Sequence, residues 1–504
     1  MPPPLEDPPP RMRWEEPPPG GWASHLQGVG IETLRLALSL FVAGATVRLA
    51  LAAHRMGARS STGARHFFVI GLWVAACVLA SALAVFVWRR LGGLALALAM
   101  LTDYGRAARL GGRPPVWLDA APDGALRLVH LTDLHVAEGP NVRMVERAHP
   151  AGNGALERLL DEPGVQSAEL LLITGDVTDR GTSVAWRCFL DAVEERGLAE
   201  RVVMVPGNHD LALVDPLDGE LRRHHVLRND RFGVVQLANL LKFCEAFAET
   251  AGGRAGFVLA GDAMLPYEDA WLKAERAVRP LVAALPDEPA PRVRWRSYRE
   301  DRAQVLAYED RIEAAREQLL ALFPVAVPLA GHDAVVFVLN SCAGVSRHPA
   351  TNALGHVGRA QYRRLDKLAR FFAQKIKFVA LHHHVVRRTE ERGRDFITRV
   401  MAKFTVLGDS RPLVKFCRAH DVRAVFNGHR HLSYQLRLPN GTVLLAAPSS
   451  TLGDELAADP RPTFECYAIA PEARPPSVGI FREVVRLPVV DADADEPAAV
   501  TSRL

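Results

Sequence analysis

Short apolar runs that stop at lone-pair-bearing side chains recur from about residue 124 onward, and they leave few folds open to this chain. The runs are "ALRLVHL", "LLLIT", "RVVMVP", "AVVFVLN", "KFVAL", "VRAVFN" and "TVLLAA". They are leucine-rich or β-branched and too short for helices, so they read as strands buried on both faces or lining a sandwich. Helical stretches such as "AWRCFLDAVEERG" fall between them, which predicts α/β layers around a sheet core. Five junctions carry the polar groups. "LVHLTDLH" delivers Asp133 and His135, "LLITGDVTDRG" delivers Asp176 with Asp179 and Arg180 behind it, and "VVMVPGNHD" delivers Asn208, His209 and Asp210. "FVALHHH" delivers His382, His383 and His384, and "VFNGHRH" delivers His429 and His431.

Taken singly, each junction has a plain structural explanation: a cap, a turn, or a buried histidine with polar neighbours. Their recurrence is what carries information. Ligand sites in open α/β sheets gather beyond the carboxyl ends of strands, so these side chains are expected to converge. Imidazole, carboxylate and amide oxygen without thiolate suit zinc, manganese or iron rather than copper(I) or an iron–sulfur cluster. The set is too large for one ion, whereas two ions sharing a carboxylate would use it fully.

The remaining composition sets bounds. At 504 residues the chain exceeds one ordinary domain, and its formal charge of +4 gives no nucleic-acid footprint. Six scattered cysteines form no CxxC pair, which argues against a disulfide framework and for a reducing compartment. Residues 1–30 form a proline-rich tail expected to be disordered. Over 31–101 two apolar stretches follow, "LALSLFVAGATVRLALAA" (36–53) and "HFFVIGLWVAACVLASALAVFVW" (66–88). The second runs 23 positions without a formal charge, enough to span a bilayer, and the two together predict a transmembrane hairpin. Buried soluble helices are the alternative; a cleaved signal peptide fits less well, because the apolar run starts late. The arginines flanking the two stretches do not decide orientation, and the thiols favour a cytoplasmic catalytic part at the membrane. The catalytic domain is expected over 120–487, interrupted by a charged helical insertion at 215–330, with a disordered tail at 488–504.

In their order along the chain, "DLH", "GDVTD", "GNHD", "LHHH" and "GHRH" resemble the motifs of the calcineurin-like metallophosphoesterase superfamily; "LNS" (339–341) and "APSST" (447–451) also sit where such proteins carry similar stretches. The resemblance covers roughly 125–485 and fits poorly over 215–330. It implies a four-layer αββα sandwich and two metal ions. Carried over, it assigns Asp133, His135 and His431 to one ion, Asn208, His382 and His429 to the other, and Asp176 to a bridge. His383 is the alternative to His382. The histidine triplet lacks the proline that commonly follows in the family. "GDVTDRG" and "GNHD" further resemble the cyclic-nucleotide phosphodiesterase branch.

The chemistry implied is hydrolysis of a phosphate ester by water held between the ions, with His209 as general acid to the leaving oxygen. Asp210 is read either as orienting His209 or as stabilising a turn. Arg180 is a candidate phosphate contact, and Arg430 is read as surface. Phosphodiesters are the expected substrate; the alternatives are a phosphomonoester, a lipid-linked pyrophosphate, or no reaction at all in a metal-binding scaffold.

Overall fold

The computed structural model describes residues 113–137, 152–211, 229–284, 310–342, 355–386, 406–454, 461–470 and 479–487. All belong to the unit Tyr104–Leu504. The proline-rich tail, the expected membrane hairpin and the tail at 488–504 lie outside the described residues. Among the described residues no helix is long and apolar enough to cross a membrane.

Two mixed sheets form the core. The smaller contains β1 (Leu126–Leu131), β2 (Leu170–Ile173), β3 (Val202–Met204), β12 (Thr463–Ile469) and β13 (Ile480–Arg486), in the order β13-β12-β1-β2-β3. The larger contains β4 (Phe257–Ala260), β5 (Ala263–Pro266), β6 (Val325–Pro328), β7 (Ala334–Val338), β8 (Ile376–Ala380), β9 (Val422–Asn427), β10 (Tyr434–Arg437) and β11 (Val443–Ala446). Its order is β10-β11-β9-β8-β7-β6-β4-β5. The strands that deliver the polar junctions are parallel to their neighbours, β1 with β2 and β2 with β3, and β7 with β8 and β8 with β9. Their carboxyl ends therefore share a rim within each sheet.

Strand alternation divides the larger sheet between two cores. Val336, Val338, Phe378 and Phe426 pack with the residues of the smaller sheet. Val335, Phe337, Val379 and Val425 face the other way, under helices α5 (Arg359–Phe371) and α6 (Ser410–Ala419). Phe426 ties the two sheets together, with its ring 5.3 Å from His130 and 5.7 Å from Tyr467. Burying a side chain of this size stabilises the fold by roughly 1.5–3 kcal/mol.

The smaller sheet is served by α1 (Gly152–Asp161) and α2 (Ser183–Glu195). Thr182 caps α2 by accepting the Ala185 N–H at 3.2 Å. Trp186, Phe189, Leu190 and Val193 repeat at helical spacing and are buried together, which fixes the helix on the core.

The stretch read from sequence as a helical insertion, 215–330, departs from that description. It carries α3 (Asn229–Ala248) and α4 (Tyr267–Ala284), yet it also supplies β4, β5 and β6, which extend the larger sheet at one edge. Phe243, Phe247, Val278 and Phe323 join the main core. Edge strands of four residues, two of them ending in proline, leave little periodicity for a sequence reading to find.

Candidate metal centre

Three of the five junctions leave their strands through left-handed residues. Asp133, His135, Asp176, His429 and His431 all have left-handed backbones, with φ of 51°, 50°, 50°, 86° and 48°. Only Asp421 among the other described non-glycine residues does the same. Such conformations persist where surrounding bonds over-determine them, and they cluster at functional sites. Here the bonds cross between chain segments. Asp133 N–H donates to the Gly175 carbonyl and His135 N–H to the Asp176 carbonyl, each at 3.0 Å. The Ser449 hydroxyl donates to the Asp133 carbonyl at 2.7 Å, and that of Thr451 to the Leu134 carbonyl at 3.0 Å. His429 N–H reaches the Asp133 carboxylate at 3.0 Å, and Gly428 N–H reaches the His382 carbonyl at 3.0 Å.

These turns bring the donor atoms together. Asp133, His135 and His431 form one group, Asp176, His382 and His429 another, and His135, Asp176 and His209 a third between them; ligand atoms within each group lie within 4.8 Å. His382 is the most informative member. Its Nδ1 lies 2.8 Å from the Thr174 carbonyl, which can only accept, so Nδ1 carries the hydrogen. With Nδ1 so committed, Nε2 is the atom that faces the Asn208 Oδ1 at 3.0 Å, the Asp176 Oδ2 at 3.2 Å and the His429 Nδ1 at 3.1 Å. Three potential ligand atoms thus crowd this one nitrogen. Across the site, His135 Nε2 and His431 Nε2 face each other at 3.1 Å.

Atoms that each bind one ion at about 2.1 Å stand about 3.0–3.4 Å apart for bond angles between octahedral and tetrahedral. The separations around His382 match that spacing, and the donors are of the imidazole, carboxylate and amide types that suit zinc, manganese or iron. Burial reinforces the fit. It pushes His135 down to about 3, with His209 adding to the shift, and it holds His429 well below the ordinary imidazole value, aided by His383 and His382. Both rings are therefore neutral and able to donate lone pairs at physiological pH. Burial opposes charging His382 as well, but the Asp176 and Asp133 carboxylates outweigh it and raise that pKa. Burial likewise opposes ionising Asp176, and the surrounding imidazoles pull it well below the usual carboxylate range.

Glycines make the approach possible. A Cβ on Gly207 would collide with the backbone nitrogen and carboxylate of Asp176, and one on Gly428 would collide with the Thr132 side chain and the Asp133 carboxylate.

Beside the cluster, His209 packs edge-on against His135 with ring centroids 4.5 Å apart. Its Nδ1 donates to the Asp179 carbonyl at 3.1 Å, while Nε2 lies 4.0 Å from the Asp176 Oδ2. Asp179 also sets its carboxylate 3.5 Å from His209 Nδ1 and 3.4 Å from Arg180 Nε. Asp210, read from sequence as able either to orient His209 or to stabilise a turn, does the second. Its carboxylate accepts N–H bonds from Val177, Thr178 and Gly207 and the hydroxyl of Thr178, so it braces the turn. Burial and the nearby Asp176 push it up to about 6. The group that holds His209 is Asp179. Sequence reasoning considered only Asp210 for that role and gave Asp179 none.

His383 lies against His429, with centroids 4.4 Å apart, and shares a hydrogen bond of 2.8 Å with the Ser341 hydroxyl. His384 turns away to pack on Tyr434. The Ser449–Thr451 hydroxyls and the Thr174 carbonyl were also absent from the sequence reading as site components. The "APSST" run directly after a strand was the available signal for the first of these.

A family model described as calcineurin-like phosphoesterase matches residues 126–336. That span carries Asp133, His135, Asp176, Asn208 and His209, and the fold supplies His382, His429 and His431 from beyond it. No curated protein matches the chain. Similar solved structures include a dimetal phosphatase from Danio rerio, with 11% identity over 69% of this chain and 93% of that one and a TM-score of 0.33. A 5′-nucleotidase from Candida albicans shows 11% identity over 75% of this chain and 53% of its own, with a TM-score of 0.32. Vacuolar Protein Sorting 29 from Cryptosporidium parvum shows 11% identity over 72% and 100%, with a TM-score of 0.25.

Proposed function

We propose that this chain, whose residues 126–336 match the calcineurin-like phosphoesterases, is a metal-dependent phosphoric ester hydrolase that cleaves phosphodiesters at a centre of two cations. Asp133, His135 and His431 would hold one cation, Asn208, His382 and His429 the other, and Asp176 would serve both. Manganese, iron or zinc suits the donors. The observation that supports this reading most strongly is the crowding at His382 Nε2, which meets the Asn208 Oδ1, the Asp176 Oδ2 and the His429 Nδ1 at 3.0–3.2 Å with its ring held by the Thr174 carbonyl. When bound, the cations neutralise phosphate oxygens and make water a competent nucleophile near neutral pH.

The chain's own groups complete the chemistry. His209 has its Nδ1 hydrogen committed to the Asp179 carbonyl, so proton exchange falls to Nε2 on the side of Asp176. As imidazolium, that nitrogen donates to the departing alkoxide; afterwards the neutral ring keeps its orientation through the same carbonyl. Asp179 steadies both His209 and Arg180, whose guanidinium would contact a phosphate oxygen. A diester, with one negative charge and a poor alkoxide leaving group, calls for such an acid. The apolar stretches at 36–53 and 66–88 would tether the enzyme to a membrane with its catalytic part in the cytoplasm.

The test uses the full chain, stripped of metal and reloaded with manganese, zinc or iron. Bis(4-nitrophenyl) phosphate should be turned over faster than 4-nitrophenyl phosphate, with loss of activity on chelation. A monoester preference under every metal would overturn the diester reading.

A further inference from the structure

A cavity of about 460 Å³ opens beside the metal centre, between the β12–β13 hairpin and the loops that follow β9 and β11. Three guanidinium groups line it, from Arg461, Arg482 and Arg486, against the two carboxylates of Asp454 and Glu465, an excess of one positive charge. The carboxylates are already engaged. Glu465 is fully buried and accepts from Arg482 Nη2 at 2.7 Å, the Ser433 hydroxyl at 3.1 Å and the Tyr467 hydroxyl. Asp454 accepts the Ser433 N–H at 3.3 Å. Arg482 is further fixed over the Trp117 ring, 5.8 Å from its centroid. Arg482 and Glu465 are thus held in the wall, and Arg486 is exposed at the mouth.

Its position relates it to the reaction centre. Thr463 pairs with Arg486, and Glu465 pairs with His130 of β1, so the mouth lies at the rim where β1 delivers Asp133. Arg486 stands two strands from β1, or about 10 Å at the usual strand spacing. Ser433 follows His431 by two residues, and Pro448 immediately precedes the Ser449–Thr451 run that holds the Asp133 and Leu134 carbonyls. The two sites share their loops.

We propose that this pocket binds a second phosphate group of the substrate, carried on the alcohol that is not expelled. The inference rests on the diester reading above and narrows it to diesters that carry an additional phosphate monoester. Arginine forks match phosphate oxygens in charge and in geometry.

Two chromogenic diesters test this on the full metal-loaded chain. Both release 4-nitrophenol; one retains glycerol and the other glycerol 3-phosphate. The wild-type kcat/KM should favour the phosphorylated substrate by about tenfold or more, as expected for charge-assisted contacts. The ratio should fall towards one in Arg461→Ala/Arg486→Ala and recover in part in Arg461→Lys/Arg486→Lys. Because both substrates are read on each variant, a folding defect cancels in the ratio. A wild-type ratio near one, or a ratio unchanged in the alanine variant, overturns the proposal. A binding arm stands apart from turnover: in the metal-free chain, glycerol 3-phosphate should slow phenylglyoxal labelling of Arg461 and Arg486, read by mass spectrometry. If neither diester is cleaved the diester reading fails, and unchanged labelling then rejects the pocket as well.

Discussion

Replacing Gly428 with alanine tests the packing of the centre without replacing any proposed ligand. The added methyl would collide with the Thr132 hydroxyl and lie 2.9 Å from the Thr132 Cβ and 2.6 Å from the Asp133 Oδ2. Thr132 cannot step aside cheaply. Its N–H donates to the Ser450 hydroxyl at 3.0 Å, its carbonyl accepts the Ser450 N–H at 2.9 Å, and its hydroxyl donates to the Asp133 carboxylate at 2.7 Å. Overpacking of this kind costs about 1–3 kcal/mol, and loosening the bonds to the Asp133 carboxylate adds about 1.5–3 kcal/mol. The two terms overlap, so a total of roughly 3–5 kcal/mol is expected from urea unfolding of the metal-free protein. Gly441→Ala is the control. That glycine has φ +93°, but a methyl added there would meet nothing within 4 Å, so backbone strain alone should cost about 1 kcal/mol. Metal content should fall in Gly428→Ala and stay unchanged in Gly441→Ala. Equal destabilisation of the two variants, with full metal retention in both, would refute the argument from close packing.

Three further outcomes follow from the same geometry. His209→Ala should keep its metal by elemental analysis while kcat on a diester falls about 10²–10⁴-fold, the range for loss of a general acid; normal turnover would remove His209 from that role. Asp176→Ala should lose metal, because the one carboxylate near both donor groups is gone, and wild-type stoichiometry in that variant would contradict the shared-ligand assignment. Phe426→Ala should destabilise the metal-free protein by about 3–5 kcal/mol in urea unfolding, since it empties space between the sheets. A loss below about 1 kcal/mol would mean that the sheets close over the gap.

The donor set was legible because an apolar strand that ends in aspartate or histidine is hard to explain by folding alone. What could not be read is the shape of each turn. Nothing in the identities of Asp133, His135 or His431 announces a left-handed backbone, which depends on partners from distant segments, such as the hydroxyls of residues 449–451 some three hundred positions from Asp133. The two roles left open for Asp210 could not be separated for a similar reason: only the direction of the turn after β3 decides between them, and it leaves His209 to Asp179, thirty residues earlier in the chain. Strands β12 and β13 escaped notice because "TFECYAI" and "IFREVVR" place charged residues among the apolar ones. In the fold, Glu465, Arg482 and Arg486 from these strands line the cavity beside the centre.

The strained turns explain why the site needs both sheets. Each left-handed aspartate or histidine costs on the order of 1–3 kcal/mol, and the bonds that offset this cost run across the molecule. The β1 junction leans on the backbone after β2 and on the hydroxyls after β11, and the β9 junction leans on the β8 junction and on Asp133. A ligand loop detached from its neighbours would relax to an ordinary turn and aim its side chain elsewhere. The metal centre is therefore a property of the closed sandwich rather than of its motifs, and a perturbation that parts the sheets, such as Phe426→Ala, should weaken metal binding although it touches no donor.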